Sequence, residues 1–476
     1  MPENSSFDFK ANIDKALADR QLRGNLRSAM DGLRVKRRAV FPAADELEAL
    51  RAQGEAIKRR ALSRLPELLT QLEAKCTANG IQVHWAETKE EANRTVLNIM
   101  RRHGAELMVK GKSMVSEEMG LNHFLEDQGL EVMETDLGEY IIQLAGEPPS
   151  HIIVPAVHKN KDQIAKIFHE MIPDTPYTED VDELTAIARA RLRRKYFQGQ
   201  VGLSGVNFAV AETGTLCLVE NEGNGRMCTT VPPVHIAVMG LEKVVEKLEE
   251  VPPLLRLLTG SATGQLITTY FNMITSPRRP GEQDGPHEVH LIILDNGRSA
   301  MLNDPELRQS LQCIRCGTCL NHCPVYVRIG GHAYGFVYPG PIGEVITPQL
   351  EGLGKAGELA GASSLCQACG EVCPVRIPLP DLIRRMRREG VGQGADCCVR
   401  DYGSKRSALE SLAWKAWALV NTNPRLNALN NMFLGKLGNH LPQLGPLAAW
   451  TTGRTAPRFA PKNLHQLADE EGLHRD

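Results

Sequence analysis

Cys313-Ile314-Arg315-Cys316-Gly317-Thr318-Cys319-Leu320-Asn321-His322-Cys323-Pro324 and, further on, Cys366-Gln367-Ala368-Cys369-Gly370-Glu371-Val372-Cys373-Pro374 decide how the second half of this chain folds. A thiolate at every third position lets one short loop turn around a cuboidal iron–sulfur core. The cysteine before the proline points away to a second core, so two such runs exchange ligands. Zinc prefers two ligand pairs separated by a finger-length loop, a spacing these runs do not have. Disulfides are not expected either. Met1 to Lys10 has no apolar core to act as a secretion signal, and nothing else points to an oxidising compartment.

Under the exchange rule Cys313, Cys316, Cys319 and Cys373 hold a first cluster, expected to be of the 4Fe-4S type. Cys323, Cys366 and Cys369 hold a second, and Ser363 stands where a full motif places its fourth thiolate. Three outcomes stay open for that site: a 3Fe-4S cluster, a 4Fe-4S cluster with one non-thiolate ligand, or completion by Cys397 or Cys398. Fewer thiolates leave less negative charge on the core, so the second site is expected at higher potential. Cys76, Cys217 and Cys228 lie among apolar residues and read as core.

Outward from the cysteines, the 476 residues suffice for two or three domains with proper cores. A formal net charge of −2 argues against non-specific nucleic-acid binding, and 5% aromatic residues leave no obvious stacking platform. No apolar run approaches the roughly eighteen residues of a membrane span, so a soluble, cytoplasmic protein is expected.

From Lys10 to Lys75 the pattern is helical and charged, with Leu62, Leu65, Leu68, Leu69 and Leu72 in one stripe and Pro66 at a start or kink. The basic run Arg34-Val35-Lys36-Arg37-Arg38 reads as a solvated face. From Gly80 strands alternate with helices. Strands are expected at Ile81 to Trp85, Glu106 to Lys110, Glu131 to Glu134, Tyr140 to Leu144 and His151 to Val154. Helices are expected at Lys89 to Arg102, after Ser116, and at Lys161 to Met171. Val206 to Ala211, Thr215 to Val219, His235 to Met239 and His290 to Leu294 are further strands, with a helix at Leu241 to Glu249. Such alternation predicts an α/β layer with a largely parallel sheet. Ser276 to Gly281 is a loop. The ferredoxin-like part runs from Pro305 to Arg388. The tail from Ser404 is helical, with Leu409, Leu412, Trp417 and Leu419 broadly on one side, expected to dock on its own domain or a partner, with an amphipathic membrane-surface helix as the alternative. Asn423-Pro424 breaks it, and the last twenty residues read as poorly ordered.

Two phosphate motifs fail. Gly111-Lys112-Ser113 ends like a P-loop, but position 106 is Glu106 and Gly104 lies too far upstream. Lys112 and Ser113 remain candidates for an anion at the next helix, beside the plainer reading of a strand-to-helix turn. Gly223-Asn224-Gly225 begins a dinucleotide fingerprint that Cys228 does not complete, so no nicotinamide or flavin site is supported. Glu212-Thr213-Gly214-Thr215 is either a ligand-approach turn or an ordinary hairpin. His158, His235 and His332 are scattered and read as structural.

With these segments placed, the chain resembles the lactate utilisation protein B family over most of its length. The resemblance rests on Gly111-Lys112-Ser113, Ala211 to Thr215, Ser276 to Gly281, both cysteine runs with Ser363-Ser364-Leu365 before the second, and a helical tail carrying Trp414 and Trp417. It implies a LUD-type α/β domain, an all-α ferredoxin-like two-cluster domain and a helical C-terminal tail. The corresponding boundaries are an N-terminal helical region 1–75, the LUD domain 76–300, the 4Fe-4S domain 301–395 and the C-terminal region 396–476. It also implies an electron-transfer subunit of a complex oxidising L-lactate to pyruvate. The partners would be a cysteine-rich redox protein and a smaller LUD protein, with the final electron acceptor left open. Such chemistry needs a cation for the carboxylate, for which Lys112 or Arg278 is a candidate, and a base for the hydroxyl proton, for which Glu212, beside Thr213, or His235 is one. Glycolate or a thiol–disulfide carrier as substrate is the alternative. A non-enzymatic iron–sulfur sensor, which binds a small acid, is a third reading.

Overall fold

The computed structural model describes residues 8–390, 408–440, 455 and 458–473. Met1–Ser404 forms one compact unit and Lys405–Asp476 another. In the first, six strands make a wholly parallel sheet in the order β1-β10-β7-β4-β2-β3. These are β1 (Gln82–Ala86), β2 (Leu107–Lys110), β3 (Glu131–Glu134), β4 (Val201–Gly205), β7 (Val234–Gly240) and β10 (Glu288–Leu294). A smaller sheet, β8-β5-β6-β9, is built from β5 (Phe208–Val210), β6 (Thr215–Glu220), β8 (Val244–Val245) and β9 (Tyr270–Ile274).

The period-two rule explains why β10 is apolar on both faces from Leu291 to Leu294. Val289, Leu291 and Ile293 enter one core with Leu65, Leu68 and Leu72, while Ile292 and Leu294 enter another with Val96, Leu97 and Met100. Both faces are covered, as a parallel sheet requires.

Four helices lead the chain: α1 (Phe9–Ala18), α2 (Arg20–Val40), α3 (Ala44–Ser63) and α4 (Leu65–Ala78). The break between α3 and α4 falls at Arg64, with Pro66 in the first turn of α4, where its missing N–H costs nothing. Phe9, Leu26, Met30 and Ile57 share one core with Cys316, Leu320, Tyr326 and Ile383, so the first helices pack with the cysteine module. Arg34 and Arg37 are half-buried there while Val35, Lys36 and Arg38 are exposed, so the basic run is only in part a solvated face.

Three segments depart from the sequence expectation. Residues Leu137–Leu144 form a helix rather than a strand. Asp136 caps it, accepting from the Gly138 and Glu139 amides at 3.1 and 3.2 Å. Residues 151–154 curl around an imidazole, described below, instead of extending. Leu241–Lys243 and Leu248–Glu250 are single 3-10 turns flanking β8, not one helix, because β8 pairs with β5. The helices Val181–Gln198 and Val251–Ala262 and the strands β4 and β9 had no counterpart in the sequence reading.

Within the second unit Ala408–Thr422 and Pro424–Leu437 are helices separated at Asn423, whose side chain caps the second. Leu409, Leu412, Trp414, Trp417 and Leu419 are exposed, and the two indoles meet edge to face at 5.8 Å. Leu464–Glu470 is also helical and opens on an Asn463 capping box, where the sequence suggested little order. Cys397 and Cys398 lie outside the described residues. No helix among the described residues is long and apolar enough to cross a membrane.

Candidate iron–sulfur centres

Each cysteine run is a tight loop closed by a left-handed backbone. Arg315 and Gly317 have φ of 60° and 72°, and Leu365 and Gln367 repeat them at 55° and 69°. The repeat aligns Ser363 with Cys313. The Arg315 amide donates to Cys313 Sγ at 3.4 Å, and the Leu365 amide donates to Ser363 Oγ at 3.1 Å. Serine thus keeps the loop geometry while removing the thiolate. Further amides aim at sulfur, Tyr326 N to Cys323 at 3.4 Å and Ile377 N to Cys373 at 3.3 Å.

Cys313, Cys316, Cys319 and Cys373 line one pocket, walled also by Ile152, Ile342, Val375, Ile377 and Leu379. Cys323, Cys366 and Cys369 form a second group, in which Cys366 is exposed and the other two are buried. Burial pushes Cys373 and Cys323 up to about 11 and Cys369 up to about 12. Thiols so placed become thiolates only when a compact cationic core offsets the charge. Sulfur donors, N–H···S bonds and apolar walls all suit iron–sulfur clusters. All ten described cysteines are free.

The α/β domain reaches the first cavity through His151. Its Nδ1 accepts from the Ile153 and Val154 amides at 3.0 and 3.2 Å, so the ring proton lies on Nε2, which donates to Asn321 Oδ1 at 2.9 Å. Burial, with Lys112 nearby, holds this imidazole neutral, down at about 3. A Cβ on Gly317 would stand 3.2 Å from the His151 ring, so the cysteine loop needs glycine there. From the other side Arg34 donates to Asn321 O at 2.6 Å, Arg37 to Val372 O at 3.3 Å and Arg51 to Cys373 O at 2.9 Å.

A buried charge network joins the two halves. Arg298 bridges Glu118 at 2.7 Å and Glu242 at 2.8 Å. Arg315, on the first cysteine loop, reaches Glu242 at 3.4 Å and stacks over Tyr338 at 4.8 Å. Burial works against the Glu242 charge, but Arg298, Arg315 and Lys243 hold it down at about 2.

The non-cysteine candidates are dispersed. Lys112 follows β2 and donates to Ile153 O at 2.9 Å, with Glu139 at 3.6 Å. Ser113 is spent as a helix cap, accepting from the Ser116 amide at 3.3 Å. His235 is fully buried on β7 against Ser204 at 2.9 Å and pushed down to about 3 by burial. The Glu212-Thr213-Gly214 turn docks on the end of α4. Asn79 donates to Thr213 O at 2.9 Å, and a Cβ on Gly214 would meet the Cys76 amide at 2.8 Å. Arg278 belongs to an exposed loop, bonded to Gln283 O at 3.1 Å and to His287. The partners of Lys112 belong to neither of these last two segments. Glu139 itself escaped the sequence reading because its helix was taken for a strand. Burial pushes its carboxyl up, opposed by Lys112.

A parallel α/β layer wedded to a buried module of paired cysteine runs defines an iron–sulfur protein of the LUD class. The LUD domain family matches residues 69–294, the 4Fe-4S dicluster domain family 309–377, and the family "Lactate utilisation protein B, C-terminal" 385–473. An uncharacterized electron transport protein of Escherichia coli, YkgF, is 44% identical over 89% of this chain and 87% of its own. Lactate utilization protein B of Bacillus licheniformis is 42% identical over 94% of each chain. That of Bacillus subtilis is 41% identical over 94% of each. The chain belongs to the lactate utilization protein B family.

Proposed function

We propose that this chain is the electron-transfer subunit of a complex that oxidises L-lactate to pyruvate in the cytoplasm. Its carrying observation is the pair of thiol groups in one buried module, four around one cavity and three beside it. In this reading Cys313, Cys316, Cys319 and Cys373 hold a 4Fe-4S cluster, and Cys323, Cys366 and Cys369 hold a second one. Such clusters, when bound, carry electrons singly between a two-electron donor and an acceptor. The chain's own residues set the conditions. Amides donate to the sulfurs, apolar walls exclude water, and Arg37 and Arg51 place positive charge beside Cys373.

The names of the relatives in the two Bacillus species support lactate as the metabolite served, and that of the E. coli relative supports electron transport. The partners in this reading are a cysteine-rich redox subunit and a smaller LUD subunit. Lys112 is the retained candidate for the substrate carboxylate, with Glu139 beside it as the base.

The test is anaerobic purification followed by an EPR-monitored redox titration. Two centres of unequal potential, reduced by lactate only when the sister subunits are present, are expected. Two centres of equal potential, or no iron signal after reconstitution, overturn the reading. In the same assembly Lys112→Ala is expected to lower lactate-dependent reduction at least tenfold while leaving dithionite reduction intact. Unchanged lactate kinetics remove Lys112 from the site.

A further inference from the structure

The second cysteine group is one ligand short, and the residue aligned with the missing thiolate is Ser363. Packed over that group is the helix Gly340–Glu351, which carries Glu344. The Glu344 side chain is completely buried, at 0% exposure, and neither carboxylate oxygen makes a hydrogen bond of ordinary geometry, although the Tyr334 hydroxyl lies close enough to bear on it. A buried acid of this kind costs several kcal/mol when ionised and unpaired, and buried polar groups without partners are rare enough to need a reason. Its neighbours give one. The helix packs Ile342 and Val345 into one core with Cys323 and Cys369, and the Glu344 charge bears on both thiols. Tyr334, also buried, lies beside it with its hydroxyl close enough to hydrogen-bond the carboxyl.

We propose that Glu344 supplies the fourth ligand of the second cluster, its carboxylate binding the iron that Ser363 does not reach. Serine is the weaker donor on two grounds. Its side chain is shorter than the cysteine it replaces, and a hydroxyl gives up its proton far less readily than a carboxyl. Arg387 fixes the loop that bears Ser363, donating to Ala360 O at 2.7 Å and to Ser363 O. The loop is thus held in place, whereas the Glu344 carboxylate has only the neutral Tyr334 hydroxyl to compete for it. An oxygen ligand in place of a fourth thiolate also separates the potentials of the two sites, which the electron-transfer reading requires. The inference rests on that reading of the cysteines as cluster ligands.

Anaerobically reconstituted full-length chain is compared with Glu344→Gln and Ser363→Ala by iron content, EPR and Mössbauer spectroscopy. Glu344→Gln, which keeps the shape of the side chain, is expected to lose one iron per chain and to show a three-iron EPR signal as isolated. Ser363→Ala is expected to keep the wild-type spectra. A three-iron signal in the wild type, a three-iron signal on Ser363→Ala alone, or no change in Glu344→Gln overturns the proposal. The first cluster's signal is the folding control. If Glu344→Gln loses it, Mössbauer spectra of Ser363→Ala decide. An oxygen-ligated iron persisting there supports Glu344, and four sulfur-ligated irons in the second cluster overturn it. A chain that takes up no iron overturns the electron-transfer reading itself, a separate result.

Discussion

Arg298 shows what a single residue does for this molecule. It lies fully buried between Glu118 and Glu242, and Glu242 also receives Arg315 from the first cysteine loop. Replacing it by methionine strands two buried carboxylates, an expected loss of about 3–5 kcal/mol in the denaturant unfolding free energy. His235 is as deeply buried but held neutral, down at about 3 by burial. The unfolded chain binds that proton below about pH 6.5 and the folded chain refuses it. The stability it contributes is therefore full above pH 6.5 and falls as the pH drops, by about 1.4 kcal/mol per pH unit. His235→Gln is expected to flatten the slope of the unfolding free energy between about pH 6.5 and pH 5. The exchange of ligands is a residue-scale matter as well. Cys373→Ser, in the second run, is expected to abolish the EPR signal of the first cluster. At this scale the sequence displayed the cysteines, because their spacing is itself the geometry. It did not display Arg298 or His151, whose partners Glu118 and Asn321 come from segments far away in the chain, nor the burial of Glu344.

At the scale of elements, legibility followed periodicity. The β10 run and the helix Lys89–Arg102 were readable, the latter amphipathic and capped by Thr88. Leu137–Leu144 misled because three apolar residues in a row resemble a buried strand, and the deciding signal was the single cap Asp136 before them. The hairpin at Gly214 carries residue types fit for ligand approach, yet its glycine is explained by contact with α4. Helix α2 has the converse lesson. Its basic run divides by helical spacing into exposed Val35, Lys36 and Arg38 and half-buried Arg34 and Arg37, the latter pair on carbonyls of the cysteine loops. Arg37→Gln removes a positive charge close to Cys316 and Cys373. The reduced cluster, being more negative, loses more than the oxidised one. The first potential is expected to fall by on the order of 50 mV in the titration.

Across the whole molecule, the α/β class and the paired-cluster module were both legible, because parallel sheets and ligand runs write local signatures. Their union was not. The first three helices look like a separate region in sequence, but Leu26, Met30 and Ile57 complete the core around Cys316 and Leu320. Arg37 and the carbonyl it holds are 335 positions apart. On a ribosome adding about 5–20 residues each second, α2 emerges roughly 15–70 s before Val372 exists. For most of that interval the apolar stripe of α2 lacks Leu320 and Tyr326, against which it packs, and the iron-binding loops cannot yet be braced. Birth of this protein is therefore a wait at the front of the chain for its far end, and cofactor loading belongs to the moment after that wait is over.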